Sequence, residues 1–182
     1  MPLAASDRLL AFLAGLGLAT ATVDHPPLYT VEESRALRGA IPGGHTKNLF
    51  LKDKKGRLFL VSAPEDAAVD LKRLHERIGA SGRLSFASAE ALREHLGLLP
   101  GAVTPFGVFN DSDRRVTVVL DAALLAHAEL NFHPLVNTRT TTIARDGLLA
   151  FLRETGHEPL IVPVSEPAAV AGAIASGAPG PI

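Results

Sequence analysis

Two short apolar runs, Asn48-Leu49-Phe50-Leu51-Lys52 and Leu58-Phe59-Leu60-Val61, flank the turn Asp53-Lys54-Lys55-Gly56. Apolar strands around a glycine-containing turn predict a β-hairpin. An antiparallel pair at this point in the chain breaks any regular βαβ alternation. Helical patterns stand on either side of it. Leu9, Phe12, Leu13 and Leu16 recur at i, i+3, i+4, i+7, which predicts a helix over about Asp7–Leu16 with Ser6 as its cap. A short strand, Thr20–Val23, leads to the rigid segment His25-Pro26-Pro27, and Thr30 with Glu33 has the spacing of a capping box.

Downstream, Leu71, Leu74 and Ile78 mark one helix face, and Ala89, Leu92 and Leu96 another, capped by Ser88. Arg83–Ala87 reads as a short strand between them. A second hairpin is expected from Gly107–Phe109 and Val116–Leu120, with a helical turn at Leu124–Ala126. Thr138–Ile143 is β-branched and reads as a strand. Asp146 is expected to cap a helix over Gly147–Thr155, before a last strand at Leu160–Val164. Hairpins interspersed with helices predict an α+β fold, a mixed and largely antiparallel sheet with flanking helices.

With 182 residues, the chain is long enough for one domain with a real core. No internal repeat or linker divides it, so residues 1–166 are expected to form a single domain and 167–182 an Ala/Gly/Pro-rich tail. Cys is absent. That excludes disulfides, thiolate zinc sites and cysteine nucleophiles, and suits a reducing cytoplasm. The start of the chain carries no targeting pattern, and no apolar run is long enough for a bilayer, so no membrane partner is expected. With Cys absent and the His residues dispersed, no metal is expected either. Lys+Arg number 18 against 19 Asp+Glu, which argues against bulk electrostatic gripping of nucleic acid and leaves room only for a local contact.

Several chemistries are missing from the sequence. There is no phosphate loop, dinucleotide turn or nucleophile elbow, and the His residues show no metal-ligand spacing. Three places stand out. In Gly43-Gly44-His45-Thr46-Lys47-Asn48, a glycine pair permits close backbone approach and Lys47 sits where loop becomes strand. In Gly101-Ala102-Val103-Thr104-Pro105, the amides of Gly101 to Thr104 can face an oxyanion or a water, while Pro105 donates none and stiffens the turn. In Asn131-Phe132-His133-Pro134, a histidine on a fixed backbone path can serve as acid, base or hydrogen-bond donor. On pattern alone each is also readable as an ordinary loop, connector or packed turn.

Taken together, His45 to Asp53 with the following hairpin, the Gly101–Pro105 loop and Asn131–Pro134 closely resemble the YbaK/ProX family of prolyl-tRNA-synthetase-associated editing domains. The resemblance spans residues 5 to 165. It implies a mixed sheet with flanking helices and a free-standing deacylase that hydrolyses the ester of a mischarged proline tRNA, with Ala as the amino acid removed. It implies no cofactor. Partners would be the acceptor end of the aminoacylated tRNA and, transiently, prolyl-tRNA synthetase. Removal of Cys, or a non-catalytic tRNA- or nucleotide-binding module of the same fold, are the alternatives.

Within that resemblance Lys47 matches the family's essential lysine and would hold the terminal phosphate or polarise the ester carbonyl. Gly101, Ala102, Val103 and Thr104, stiffened by Pro105, would position carbonyl or water. His133 and Asn48 would orient the amine or ribose, with His45, Thr46 and Phe132 in the substrate site. Lys52, Lys54, Lys55 and Arg57 would meet the tRNA backbone; a solvated hairpin tip is the plainer account of those charges. An activated ester needs placement and charge stabilisation rather than a covalent nucleophile.

Overall fold

The computed structural model describes residues 4–28 and 31–165. The expected hairpin is its organising element: β2 (Gly44–Lys52) pairs antiparallel with β3 (Leu58–Pro64), with Leu49 opposite Val61 and Lys47 opposite Ala63. Around it lie β1 (Thr20–Asp24), β4 (Ser85–Phe86), β5 (Val116–Asp121), β6 (Glu129–Phe132), β7 (Arg139–Ala144) and β8 (Leu160–Val162). The order across the sheet is β1-β7-β6-β2-β3-β5-β8, with β4 attached to β2 beside this path. The β2–β6, β3–β5 and β5–β8 pairs are parallel and the rest antiparallel, giving the mixed, largely antiparallel sheet that the sequence predicts.

Alternation along β2 and β3 sends side chains to two cores. Phe50, Leu58 and Leu60 join a larger cluster beneath α1 (Ala5–Gly15), α4 (Ala89–Leu96) and α5 (Arg145–Glu154), with Phe106 and Phe151 among its largest buried rings. Leu51, Phe59, Val61 and Ala63 face the other way, onto Leu74 and Ile78 of α3 (Leu74–Ile78). Both strands are therefore buried on two sides, which explains why they read as continuous apolar runs. The remaining helix, α2 (Val31–Ala40), precedes β2. Among the described residues no helix is long and apolar enough to cross a membrane.

Where the sequence carries an explicit cap the expectation holds: Ser88 accepts from the Ala91 amide at the start of α4. Ser6 is different. It lies inside α1, buried, where its hydroxyl accepts from Arg139 Nη1. Asp146 likewise sits in the first turn of α5 and pairs with Arg145, while Ala144 occupies the cap position. The second expected hairpin does not form. Pro105–Asn110 is a 3-10 helix, because Thr104 caps it at Phe106 and Gly107 lies against Leu98, where a Cβ would come within 2.8 Å of Cδ1. Thr30 and the tail from Pro167 lie outside the described residues.

Three buried aspartates hold the strand ends. Asp53 accepts from the amides of Lys55, Arg57 and Ser81, and from Arg57 Nε at 2.9 Å. Asp111 accepts from the amides of Arg115 and Val116 and faces His157 Nε2 at 3.0 Å. Asp121 accepts from those of Ala123, Val164 and Ser165. Each satisfies donors that chain turns would otherwise orphan.

Candidate functional site

The free edge of β2 is where the candidate residues meet. On the side away from β3, β2 pairs with β6 only at Gly44 and His45, and with β4 only at Leu51 and Lys52. Phe50 gives its carbonyl to the Ala87 amide on that side. In an antiparallel ladder alternate residues direct their amide and carbonyl to the same edge. Asn48, two residues earlier, therefore turns its main-chain donor and acceptor toward the gap between β6 and β4.

Two cavities flank this gap, and Asn48 lines both. The first, of about 100 Å³, lies at the start of β2 and collects His45, Thr46, Asn48, Phe132 and His133 against an apolar wall of Leu28, Leu37 and Ile41. Glu65, Asn131 and Thr140 complete it. The second, of about 200 Å³, lies toward the hairpin end of β2 and is walled by Leu49, Phe50, Phe86, Leu92, Gly101 and Val103.

Hydrogen bonds fix what each side chain can offer. A carbonyl only accepts, so His133 donates through Nδ1 to the Arg139 carbonyl at 2.9 Å, leaving Nε2 as the basic nitrogen of the neutral ring. Burial pushes the His133 imidazolium below its ordinary pKa of 6.5, the charge of nearby His25 adds to this, and the Arg139 bond opposes it. The His25 ring lies 6.4 Å from that of His133, and its Nε2 meets the Thr140 hydroxyl at 2.9 Å. By the same reasoning His45 donates through Nε2 to the Ile41 carbonyl.

Asn48 Oδ1 accepts from the fully buried Ser62 hydroxyl at 2.6 Å. That bond orients the amide, so its Nδ2 donors have no partner among the described residues. Thr46 spends its hydroxyl on the Asn131 carbonyl, and Phe132 packs edge-to-face on Phe106 at 5.7 Å. This ring pair ties the His133 strand to the helix that follows the Gly101–Pro105 loop.

The loop itself divides. Ala102 gives its amide to the Leu99 carbonyl, and the Thr104 hydroxyl caps the 3-10 helix. Pro105 is buried at the start of that helix. The amides of Gly101, Val103 and Thr104 have no partner among the described residues, and Gly101 holds φ +90°, which favours glycine. The glycine pair before β2 has a different use from the expected one. A Cβ on Gly44 would come within 2.8 Å of the His127 ring, and one on Gly43 within 3.1 Å of Asn131 Nδ2. Both glycines admit the protein's own side chains.

Lys47 is set apart from this group. It shares the β2 face of Leu49 and Leu51, opposite to that of Phe50, and its ammonium donates to the Ala67 carbonyl in the loop after β3. It lines neither cavity.

The family model for the aminoacyl-tRNA editing domain matches residues 25–151, most of the chain. The chain belongs to that family. Relatives of the editing domain include prolyl-tRNA synthetase associated domain-containing protein 1 of Danio rerio, 40% identical over 163 residues and covering 88% of each chain. Another is the prolyl-tRNA editing protein ProX of Acetoanaerobium sticklandii, 37% identical over 158 residues, covering 86% of this chain and 96% of the relative. The fold is shared with a solved structure described as a candidate trans-editing enzyme for prolyl tRNA synthetase, at TM-score 0.68 and 23% identity, over 91% of this chain and all of that one.

In this editing domain the basic residues sit at the far end of β2. Lys52, Lys54 and Lys55 are exposed. Arg57 is held by Asp53, by the Gly79 carbonyl at 2.8 Å and over the Phe59 ring at 5.6 Å. At the usual strand rise, Lys54 lies roughly 15–20 Å from Asn48. Thr140, Glu65, Ser62 and His25 were not legible as site residues. Each reaches the site through pairing across the sheet, which no local spacing in the sequence encodes.

Proposed function

We propose that this protein is a trans-acting aminoacyl-tRNA deacylase that removes Ala from mischarged proline tRNA, its editing domain spanning residues 1–166. The observation carrying this reading is the cavity of about 100 Å³ at the start of β2, small, half polar and half apolar. Such a space suits a small amino acid, and bulk is the direction in which a pocket can discriminate against the proline ring. Family membership and the names of its relatives support the same substrate class.

The chemistry follows from the donors available. With the amino acid among Leu37, Ile41 and Phe132, its ester lies near Asn48. A water held by His133 Nε2 adds to the ester carbonyl carbon and passes its proton to that nitrogen. Negative charge gathers on the carbonyl oxygen, where Asn48 Nδ2 and the open amides of Gly101 and Val103 stabilise it. The tetrahedral centre then collapses, the bond to the ribose oxygen breaks, and that oxygen takes the proton from His133. Lys47 braces the loop that begins at Glu65.

Deacylation of Ala-, Ser-, Cys- and Pro-charged proline tRNA tests this directly. Release of Ala with Pro-charged tRNA left intact is expected. Preferential release of Cys moves the specificity, and no release from any of the four overturns the reading.

A further inference from the structure

The His25-Pro26-Pro27 segment has no part in the chemistry above, yet it controls one proton at the wall of the first cavity. His25 stands immediately after β1, where its amide donates to the Thr138 carbonyl at 2.9 Å. Its ring is half-buried and lines neither cavity. His25 Nδ1 lies 2.8 Å from the Pro26 carbonyl oxygen, which only accepts, so Nδ1 carries the hydrogen. In the neutral ring Nε2 is then an acceptor, and the Thr140 hydroxyl at 2.9 Å must donate to it. Pro27 restricts Pro26 to extended backbone, which keeps that carbonyl in place.

We infer that Thr140 receives the α-ammonium of the substrate amino acid, and that His25 is the positioning residue that fits it for this. The inference rests on the deacylase reading proposed above and adds a requirement to it, that the amino acid carry a free amine.

The proton count of a hydroxyl argues this first. A threonine side chain owns one hydrogen and two lone pairs. Thr140 is buried on β7 and lines the first cavity. With its hydrogen committed to His25, it meets any ligand as an acceptor only. A donor suits it, and an acceptor meets a lone pair.

The surroundings of Thr140 point the same way. His45 spends Nε2 on the Ile41 carbonyl and keeps Nδ1 as an acceptor, and His133 likewise keeps Nε2. Thr46 gives its hydrogen to the Asn131 carbonyl, while Asn131 holds its own amide on Thr142 and the Pro42 carbonyl. These bonds leave unused lone pairs on residues that line the cavity. A wall of neutral acceptors fits a cation that brings three hydrogens, as an ammonium does, and disfavours a carboxylate or a phosphate.

Position is the third argument. Phe132 pairs with Thr141 across β6 and β7, and one step beyond this pair brings Thr140 beside His133. In an amino acid only the α-carbon separates the amine from the ester carbon. With the water on His133 Nε2, an amine held at Thr140 keeps the ester carbon within reach of that water.

Isobutyryl replaces the ammonium of alanine by a methyl group of similar size, and so separates charge from shape. By calorimetry the unaltered protein should bind 3′-alanylamino-3′-deoxyadenosine about ten-fold or more tightly than the 3′-isobutyrylamino compound. With proline tRNA carrying either acyl group, the Ala-to-isobutyryl ratio of kcat/KM should fall about ten-fold or more in Thr140→Val, chiefly through the KM for Ala. Thr140→Ser should restore the ratio. His25→Leu frees the Thr140 hydrogen and should lower the ratio about three-fold or more, and His25→Gln, whose side-chain oxygen can take that hydrogen, should restore it. A merely structural Thr140 would lower both substrates alike. That result, equal binding of the two amides by the unaltered protein, or an unchanged ratio in His25→Leu overturns the inference. The calorimetry needs no variant, so it decides even where Thr140→Val does not fold. If the unaltered protein releases no Ala, the deacylase reading fails on its own, and the two amides still report whether the site takes an ammonium.

Discussion

The ammonium of Lys47 is bound to the main-chain carbonyl of Ala67, across the sheet from the face that Phe50 occupies. The contact joins β2 to the loop beginning at Glu65, whose own amide donates to the His45 carbonyl at 3.0 Å. Two bonds from alternate β2 residues, His45 and Lys47, thus hold the segment that presents Glu65 to the first cavity. We read Lys47 as fixing the wall of the site, a role that contact with the ester carbonyl would replace.

Lys47→Met therefore separates two roles for the residue. As a brace, its loss should lower kcat/KM about ten-fold or more, chiefly through KM, and lower Tm as well. A fall in kcat with KM and Tm unchanged would place the ammonium on the reacting carbonyl. Steady-state kinetics with a thermal melt reads both.

The proposed base, His133, should set a pH limit. Burial lowers its pKa from 6.5, so the neutral ring with a basic Nε2 persists below the ordinary imidazole range. A base works only when unprotonated. The rate should hold steady from neutral pH to below 6.5 and fall once pH drops through the lowered value. His133→Asn should lower kcat by about 10²–10⁴ and remove that acidic limb. An acidic limb centred on 6.5 or higher, or one that survives the substitution, would remove His133 from proton transfer.

How much of this was visible in the sequence depends on how local each feature is. Ser88 capping α4 and the β2–β3 hairpin are encoded within a few residues and were legible. The strand β6 was not. Its four residues, Glu129-Leu130-Asn131-Phe132, do alternate polar and apolar, but so short a run marks a strand only once β2 and β7 flank it. Gly107–Phe109 reads as a strand by composition, yet Thr104 and Pro105 start a 3-10 helix there and Leu98 fills the space above Gly107. At the site, residues contiguous along β2 and β6 were found together. Ser62, Glu65 and Thr140 arrive through sheet register and were not. Lys47 was grouped with Gly101–Thr104 because it matches the family's essential lysine, and the period-two alternation of β2 puts its side chain on the face opposite Asn48.

Asp53 makes the hairpin turn a separate stability element. Desolvation alone would raise its pKa, but bonds from Ser81, Arg57 and Lys55 outweigh it and hold the carboxylate at about 2 against an ordinary 3.8. A depressed carboxylate contributes stability that is present above the ordinary value and lost as pH falls toward the folded one. Thermal melts should therefore show Tm declining between pH 4 and 2, more gently in Asp53→Asn, which should melt lower than the unaltered protein at pH 7. An unchanged Tm in that variant would remove the turn from the stability of the fold.

The outer charges of the same hairpin should behave differently from its anchored ones. Lys54 and Lys55 are exposed, whereas Arg57 is committed to Asp53, Gly79 and Phe59. Counterion release makes binding depend on the number of phosphates neutralised, with about 0.7–0.9 of a logarithmic salt slope per contact. Replacing Lys54 and Lys55 with Gln should weaken tRNA binding and lower the slope by roughly 1.4–1.8, leaving Tm in place. Arg57→Gln should do the reverse, lowering Tm with little change in slope. Binding measured by filter retention across a salt series, beside thermal melts, distinguishes them. An unchanged slope in the double variant assigns those lysines to solvation of the turn. It also leaves the tRNA to approach from the β1–β7 side of the first cavity, where Arg139 already spends its guanidinium on Asp7 and Asp24.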